Sequence, residues 1–145
     1  MLRALLDRQR PPYLRCRADR FLLAAEALDT LDALVHSLQP VRKRFASQRL
    51  VCWSPDGQTG GRPPRPCAFC PDTRHCQARV RLNLILTRPD HPDLPAILEL
   101  RPADFPAVEA ALAAAGPDPL NRVLFRFRLV PAPDGYHRLA VTALF

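Results

Sequence analysis

Cys52, Cys67, Cys70 and Cys76 fall within 25 residues as C-x14-C-x2-C-x5-C, and no other feature constrains the fold as much. A structural zinc ion takes four soft or borderline ligands in a tetrahedron. The turn Cys67-Ala68-Phe69-Cys70, followed by Pro71, supplies two ligands from one tight bend. The other two must close from separate segments, which Cys52 at a strand end and Cys76 before a second strand can do. Disulfides or free thiols are the alternative. Against them stand an odd cysteine count, an N-terminal apolar patch of only Leu2, Ala4, Leu5 and Leu6, and a length of 145 residues, enough to bury a core without staples. Zinc and a cytoplasmic location are therefore expected. His75 can stand in for a cysteine ligand or be a solvated loop histidine, and Cys16, far away in sequence, reads as a small buried hydrophobe.

A catalytic metal fits the residues less well. Pro66-Cys67-Ala68-Phe69-Cys70 matches the P-C-x-x-C half of nucleobase deaminases, whose other half places a Cys or His two residues before a proton-shuttling Glu. Here Ser54 follows Cys52 at that spacing, and no Glu occurs between Glu26 and Glu99. No H-E-x-x-H is present, and four thiolates leave no open position for water. The expected zinc is structural and the chain is not expected to be an enzyme.

The charge balance points to a polyanionic partner. Lys and Arg number 21 against 14 Asp and Glu, for a formal +7. Only Lys43 is a lysine, and arginine suits phosphate geometry and base stacking. Residues 41–81 hold 9 basic and 2 acidic side chains, so the positive field gathers around the cysteines. Arg42, Lys43, Arg44 and Arg49 lead into the metal region, Arg62, Arg65 and Arg74 lie within it, and Arg79 and Arg81 leave it. Trp53 and Phe69 are the aromatic groups there that can stack on unpaired bases, although Trp53 can equally pack beside the metal. Arg126 and Arg128 alternate with Phe125 and Phe127 on a strand, the arginines reading as a solvated face and the phenylalanines as core. Tyr136, after a Pro-Asp-Gly turn, can reach a ligand or cap the sheet.

Periodicity sets the elements. Leu28, Leu31, Val35 and Leu38, at steps of three, four and three, predict a helix from Asp19 to Pro40. A short strand is expected over 48–53. Val80, Leu82, Leu84 and Leu86 alternate as a strand, residues 96–101 form another, and Asp104 is placed to cap a helix that ends at Gly116 and Pro117. Two strands joined by Pro133-Asp134-Gly135 close the chain. Seventeen prolines against five glycines preclude long helices, and no window approaches the length of a membrane span. The expected organisation is an N-terminal arm and helix over 1–40 and an OB-like domain over 41–145, with a zinc-binding insertion around 52–76. The class is mostly β with helices, an α+β chain whose strand order fits a five-stranded OB barrel.

Cys52 with Ser54-Pro55-Asp56-Gly57 and Gly60, then Cys67-x2-Cys70 and Cys76, then a Leu-rich strand, resembles zinc-containing OB-fold single-stranded DNA-binding proteins of phages and mobile elements. The resemblance covers residues 48–145. It implies a barrel core, a zinc-stapled insertion and strand-groove binding of single-stranded DNA. A second expectation is a zinc-stabilised subunit of a larger nucleoprotein or transcription assembly that contacts RNA or protein.

Overall fold

The computed structural model describes residues 11–17, 19–46, 49–54, 59–60, 65–66, 76–133 and 137–144, and the side chains of these except in 44–76. The expected helix between Asp19 and Pro40 is corrected. That stretch forms β2 (Arg20–Leu23), β3 (Glu26–Leu28) and most of β4 (Thr30–Ala46), preceded by β1 (Tyr13–Arg17). The buried positions are Phe21 and Leu23, then Leu31, Ala33 and Val35, the period of two of a strand with one covered face. Ala33 carries the alternation that the leucine spacing hid. The β4 ladder shifts register between Val35 and Ser37, and this bulge changes the phase, so that Leu38 stands opposite Leu82 and Val41 opposite Arg79, with Leu38 39% exposed and Val41 buried.

Pro40 does not stop β4. Between its pairing with β10, which ends at Leu34, and with β5, which begins at Arg42, β4 is bonded only to β8. A strand tolerates proline on such an unpaired flank. The boundary expected between residues 40 and 41 thus falls inside one continuous strand.

The remaining elements are β5 (Arg49–Ser54), β6 (Thr59–Gly60), β7 (Arg65–Pro66), β8 (Cys76–Leu86), β9 (Leu94–Leu100), a 3-10 turn Pro102–Asp104, α1 (Phe105–Ala114), β10 (Leu124–Pro131) and β11 (His137–Leu144). The strands expected over 48–53, 80–86 and 96–101 and the final hairpin are present as β5, β8, β9 and β10–β11, and Asp134, Gly135 and Tyr136 of its turn lie outside the described residues. The helix also lies where expected, and Gly116, at φ +107°, supplies the left-handed residue past its end.

One sheet runs β11-β10-β4-β8-β9-β1-β2-β3, with β5 added to the far half of β4, while β6 and β7 pair separately. All neighbours are antiparallel except β1 and β9. The sheet curls until β2 approaches β4 and β10. Phe21, Phe125, Phe127 and the leucines of β8 and β9 fill the inside, and Val108 and Ala111 of α1 join the same cluster. Each fully buried Leu or Phe contributes about 1.5–3 kcal/mol relative to exposure. The result is a mostly β, barrel-like α+β architecture in which residues on both sides of position 40 build one core.

Candidate nucleic-acid interface

Side chains opposite one another in a β-ladder share a face of the sheet, so the register sorts the basic residues. On β8, Val80, Leu82, Leu84 and Leu86 face the core, which puts Gln77, Arg79, Arg81 and Asn83 on the outside. The pairs Val41↔Arg79, Gln39↔Arg81 and Lys43↔Gln77 place Lys43 on that same outer face. Arg81↔Glu99 and Tyr13↔Ile97 extend it over β9 to β1. Four strands drawn from sequence positions 13 to 99 thus converge on one surface.

Glu99 lies at its centre. Lys43 Nζ is 2.6 Å from Glu99 Oε1 and donates to Oε2 at 2.7 Å. Arg81 Nε lies 3.8 Å from the same carboxylate, and its guanidinium stands over the Tyr13 ring, 5.4 Å from the centroid. Lys43 and Arg81 side chains are 14% exposed and Glu99 22%, so this cluster is partly desolvated and stronger than an exposed pair. Two cations on one carboxylate leave the cluster positive. Arg79 donates to Gln77 Oε1 at 2.6 Å and to the Ala78 carbonyl at 3.0 Å. Tyr13, Arg15 and Arg17 are exposed on β1, and Leu14, between the first two, is buried. Arg20, opposite Arg17, is drawn to Asp29 at 3.5 Å and Asp19 at 4.0 Å.

The other expected contacts distribute differently. Arg42 is exposed on β4, paired with Ala78 and Ser54 and so alternating with Val41 and Lys43. Arg126 forms a fork on Asp32, Nε to Oδ1 at 2.8 Å and Nη2 to Oδ2 at 3.0 Å. This bonding and the carboxylate charge raise its pKa further. Arg128 is exposed opposite Thr30. Asp32, the partner of Arg126, and Gln39, the partner of Arg81, are seven positions apart on β4, roughly 20 Å along the strand. Arg126 and Arg128 are therefore not brought together with Lys43 and Arg81. Phe125 and Phe127 are fully buried, as expected for core.

The expected metal ligands are placed in part. Cys52 and Cys76 both pair with Arg44, one from β5 and one from β8. With strands about 4.8 Å apart, their Cα atoms stand about 10 Å from each other, beyond the reach of a direct disulfide. Trp53 pairs with Lys43, and Arg49 with Ala46. Arg65 pairs with Gly60 in the small β6–β7 ladder. Cys67, Cys70, His75, Arg62, Phe69, Arg74 and Tyr136 lie outside the described residues, as do the side chains of Arg44, Arg49, Cys52, Trp53, Arg65 and Cys76. Among the described residues no three His, Cys, Asp or Glu side chains are grouped to hold a metal.

A second feature ties β11 to the turn after β9. The Asp104 carboxylate accepts from Leu139 N–H at 3.0 Å and from Arg101 Nε at 3.3 Å, and Arg101 also donates to the His137 carbonyl. Asp104 sits at the helix start without a side-chain cap bond, which corrects its expected capping role. Beside it is a recess of about 360 Å³ bordered by Leu14, Cys16, Leu98, Asp104 and His137. Cys16 is exposed as a residue. Its thiol is nonetheless crowded at the recess, and burial, with the Asp104 charge added, pushes its pKa up against the opposing pull of Arg101.

Tyr13, Arg15, Arg17 and Glu99 were not legible as site residues, because nothing local in sequence links them to Arg81. Among the described residues no helix is long and apolar enough to cross a membrane. Compared with known protein families, curated proteins and solved structures, the chain matches none.

Proposed function

We propose that this chain is a non-catalytic binder of single-stranded nucleic acid, DNA in the first instance, held in part by a structural zinc ion, as the resemblance to zinc-containing OB-fold single-strand binders implies. The observation that carries the reading is the register of β5, β4 and β8. It gathers the positions of Lys43, Trp53, Arg79 and Arg81 on one face, next to the strand positions of Cys52 and Cys76, with Arg42 on the opposite face. Arginines follow a phosphate backbone and aromatic rings accept unpaired bases, and neither contact reads sequence. The same register supports a metal over a disulfide for Cys52 and Cys76, with Cys67 and Cys70 as the remaining ligands. At the Asp104 recess the carboxylate is already committed to two donors and the Cys16 pKa is raised. Neither group is poised as base or nucleophile.

The test is a titration of labelled single- and double-stranded oligonucleotides in a salt series. Tighter binding to the single strand is expected, with log affinity falling linearly in log salt. Equal affinity for both forms, or an affinity indifferent to salt, overturns the proposal. The alternative of a subunit in a nucleoprotein or transcription assembly draws on an apolar groove of about 540 Å³ between Ala107, Ala110 and Ala114 of α1 and the outer edge of β11. A protein partner would fit there.

A further inference from the structure

We propose that the single strand crosses β1, with Tyr13 as a base-stacking platform and Arg15 and Arg17 as phosphate contacts, in a stretch that the sequence alone placed outside the binding domain. This inference rests on the single-strand-binding reading and assigns it residues on a further strand.

Tyr13 is one of two large apolar side chains left exposed among the described residues, at 46%. It stands on the outer face next to Ile97, and Arg81 covers its ring from the β8 side. Arg81 is itself steered by Glu99, which also holds Lys43. The ring is thus backed by a cation whose own position is set by a partly buried ion pair. An aromatic ring fixed in this way loses little freedom when a base stacks on it. A guanidinium on one side of the ring also adds positive potential where a phosphate must pass.

Along β1, side chains alternate between the two faces of the sheet. Leu14 is buried inside, so Tyr13, Arg15 and Arg17 project outward at every second residue, roughly 6–7 Å apart. That spacing matches the distance between successive phosphates of an extended single strand better than the compact rise of a duplex. Arg20 continues the line on β2, partly neutralised by Asp29. On this face β1, β9, β8 and the end of β4 present Arg15, Arg17, Arg79, Arg81 and Lys43 against Glu99. An acidic protein could meet the same charge, but the exposed ring in the middle of the arginines favours a chain that carries both phosphates and flat bases.

The experiment measures anisotropy of a fluorescein-labelled oligothymidylate of 20 nucleotides with the full chain in a salt series. Tyr13→Ala should weaken binding about 5- to 150-fold without altering the salt slope, and Tyr13→Phe should bind as the parent does. The double variant Arg15→Ala/Arg17→Ala, whose side chains are exposed and leave the core intact, should lower the salt slope by up to about 1.4, or about 0.7 per lost contact. If the parent binds while Tyr13→Ala and the double arginine variant bind equally well with the parent's slope, the β1 platform is overturned and the single-strand reading stands. If the parent itself does not bind, the reading falls and this inference with it. Should Tyr13→Ala fail to fold, the double arginine variant decides alone.

Discussion

Asp104 shows how one residue's role follows from what surrounds it. It is the one buried charged side chain among the described residues, and a buried carboxylate persists only when its oxygens are bonded. Leu139 N–H and Arg101 supply those bonds, and the pair ties the start of β11 to the turn after β9. Asp104→Ala should cost about 2–3 kcal/mol in urea unfolding, because a backbone donor and a guanidinium both lose their acceptor. Asp104→Asn keeps an acceptor for Leu139 and should cost less. The same variant tests the Cys16 environment. Asp104 is one of the groups raising the Cys16 pKa, so its neutralisation lowers that pKa and increases the thiolate fraction at a fixed pH below it. Iodoacetamide labelling of Cys16, followed by peptide mass spectrometry at pH 8, should therefore be faster in Asp104→Asn. An unchanged rate would assign the shift to burial alone.

Among the elements, β4 depends most on its neighbours. Its bulge leaves His36 unpaired in the ladder and frees the Val35 carbonyl, beyond the end of the β10 pairing. Asn121, at φ 62°, donates its backbone N–H to that carbonyl at 2.9 Å, and its side chain bonds His36 Nδ1 at 2.8 Å and the His36 carbonyl at 3.4 Å. The loop after α1 thus clamps the bulge. Asn121→Ala loses the side-chain bonds and must hold a left-handed backbone, so a loss of about 1–2 kcal/mol is expected. Asn121→Gly keeps the backbone conformation and loses only the bonds, and should fall between Ala and the parent. Calorimetry of the three proteins separates the two contributions, and equal stability of all three would show that the clamp carries nothing. The bulge is also why a helix was expected here. A phase change inside a period-two strand leaves Leu31, Val35 and Leu38 at steps of four and three, which imitates a helical face.

At the scale of the molecule, the curled sheet has a well-filled interior and a far end built on the last part of β4. There Val41 is buried outside the main cluster, and among the described residues β5 pairs with β4. A zinc ion would join the Cys52 and Cys76 strands to the segment between them. The purified protein should contain one equivalent of zinc, and Cys70→Ser or chelation should lower zinc content and melting temperature together. Hydrogen exchange should rise first in β5 and the paired end of β4. Zinc-free protein with the parent's melting curve and exchange pattern would remove the metal from the account. Cys16→Ser should retain the metal, since that residue lies at the other seam, beside Asp104.

Local chemistry alone determined several parts of this protein. The alternation over 80–86 and 123–129, the helix closed by Gly116, and Phe125 and Phe127 as core are dictated by side-chain period and turn residues, which act over a few positions. Tertiary structure decided the rest. Residues 19–40 became strands because β1, for β2, and β8 and β10, for β4, offered ladder partners to a stretch whose own spacing favoured a helix. Asp104 turned from the helix to β11 because Leu139 N–H came within reach. The meeting of Tyr13, Lys43, Arg81 and Glu99 exists only through register between strands up to 86 positions apart. No local pattern encodes a register of that length, because it is set by which apolar faces the whole sheet can bury at once.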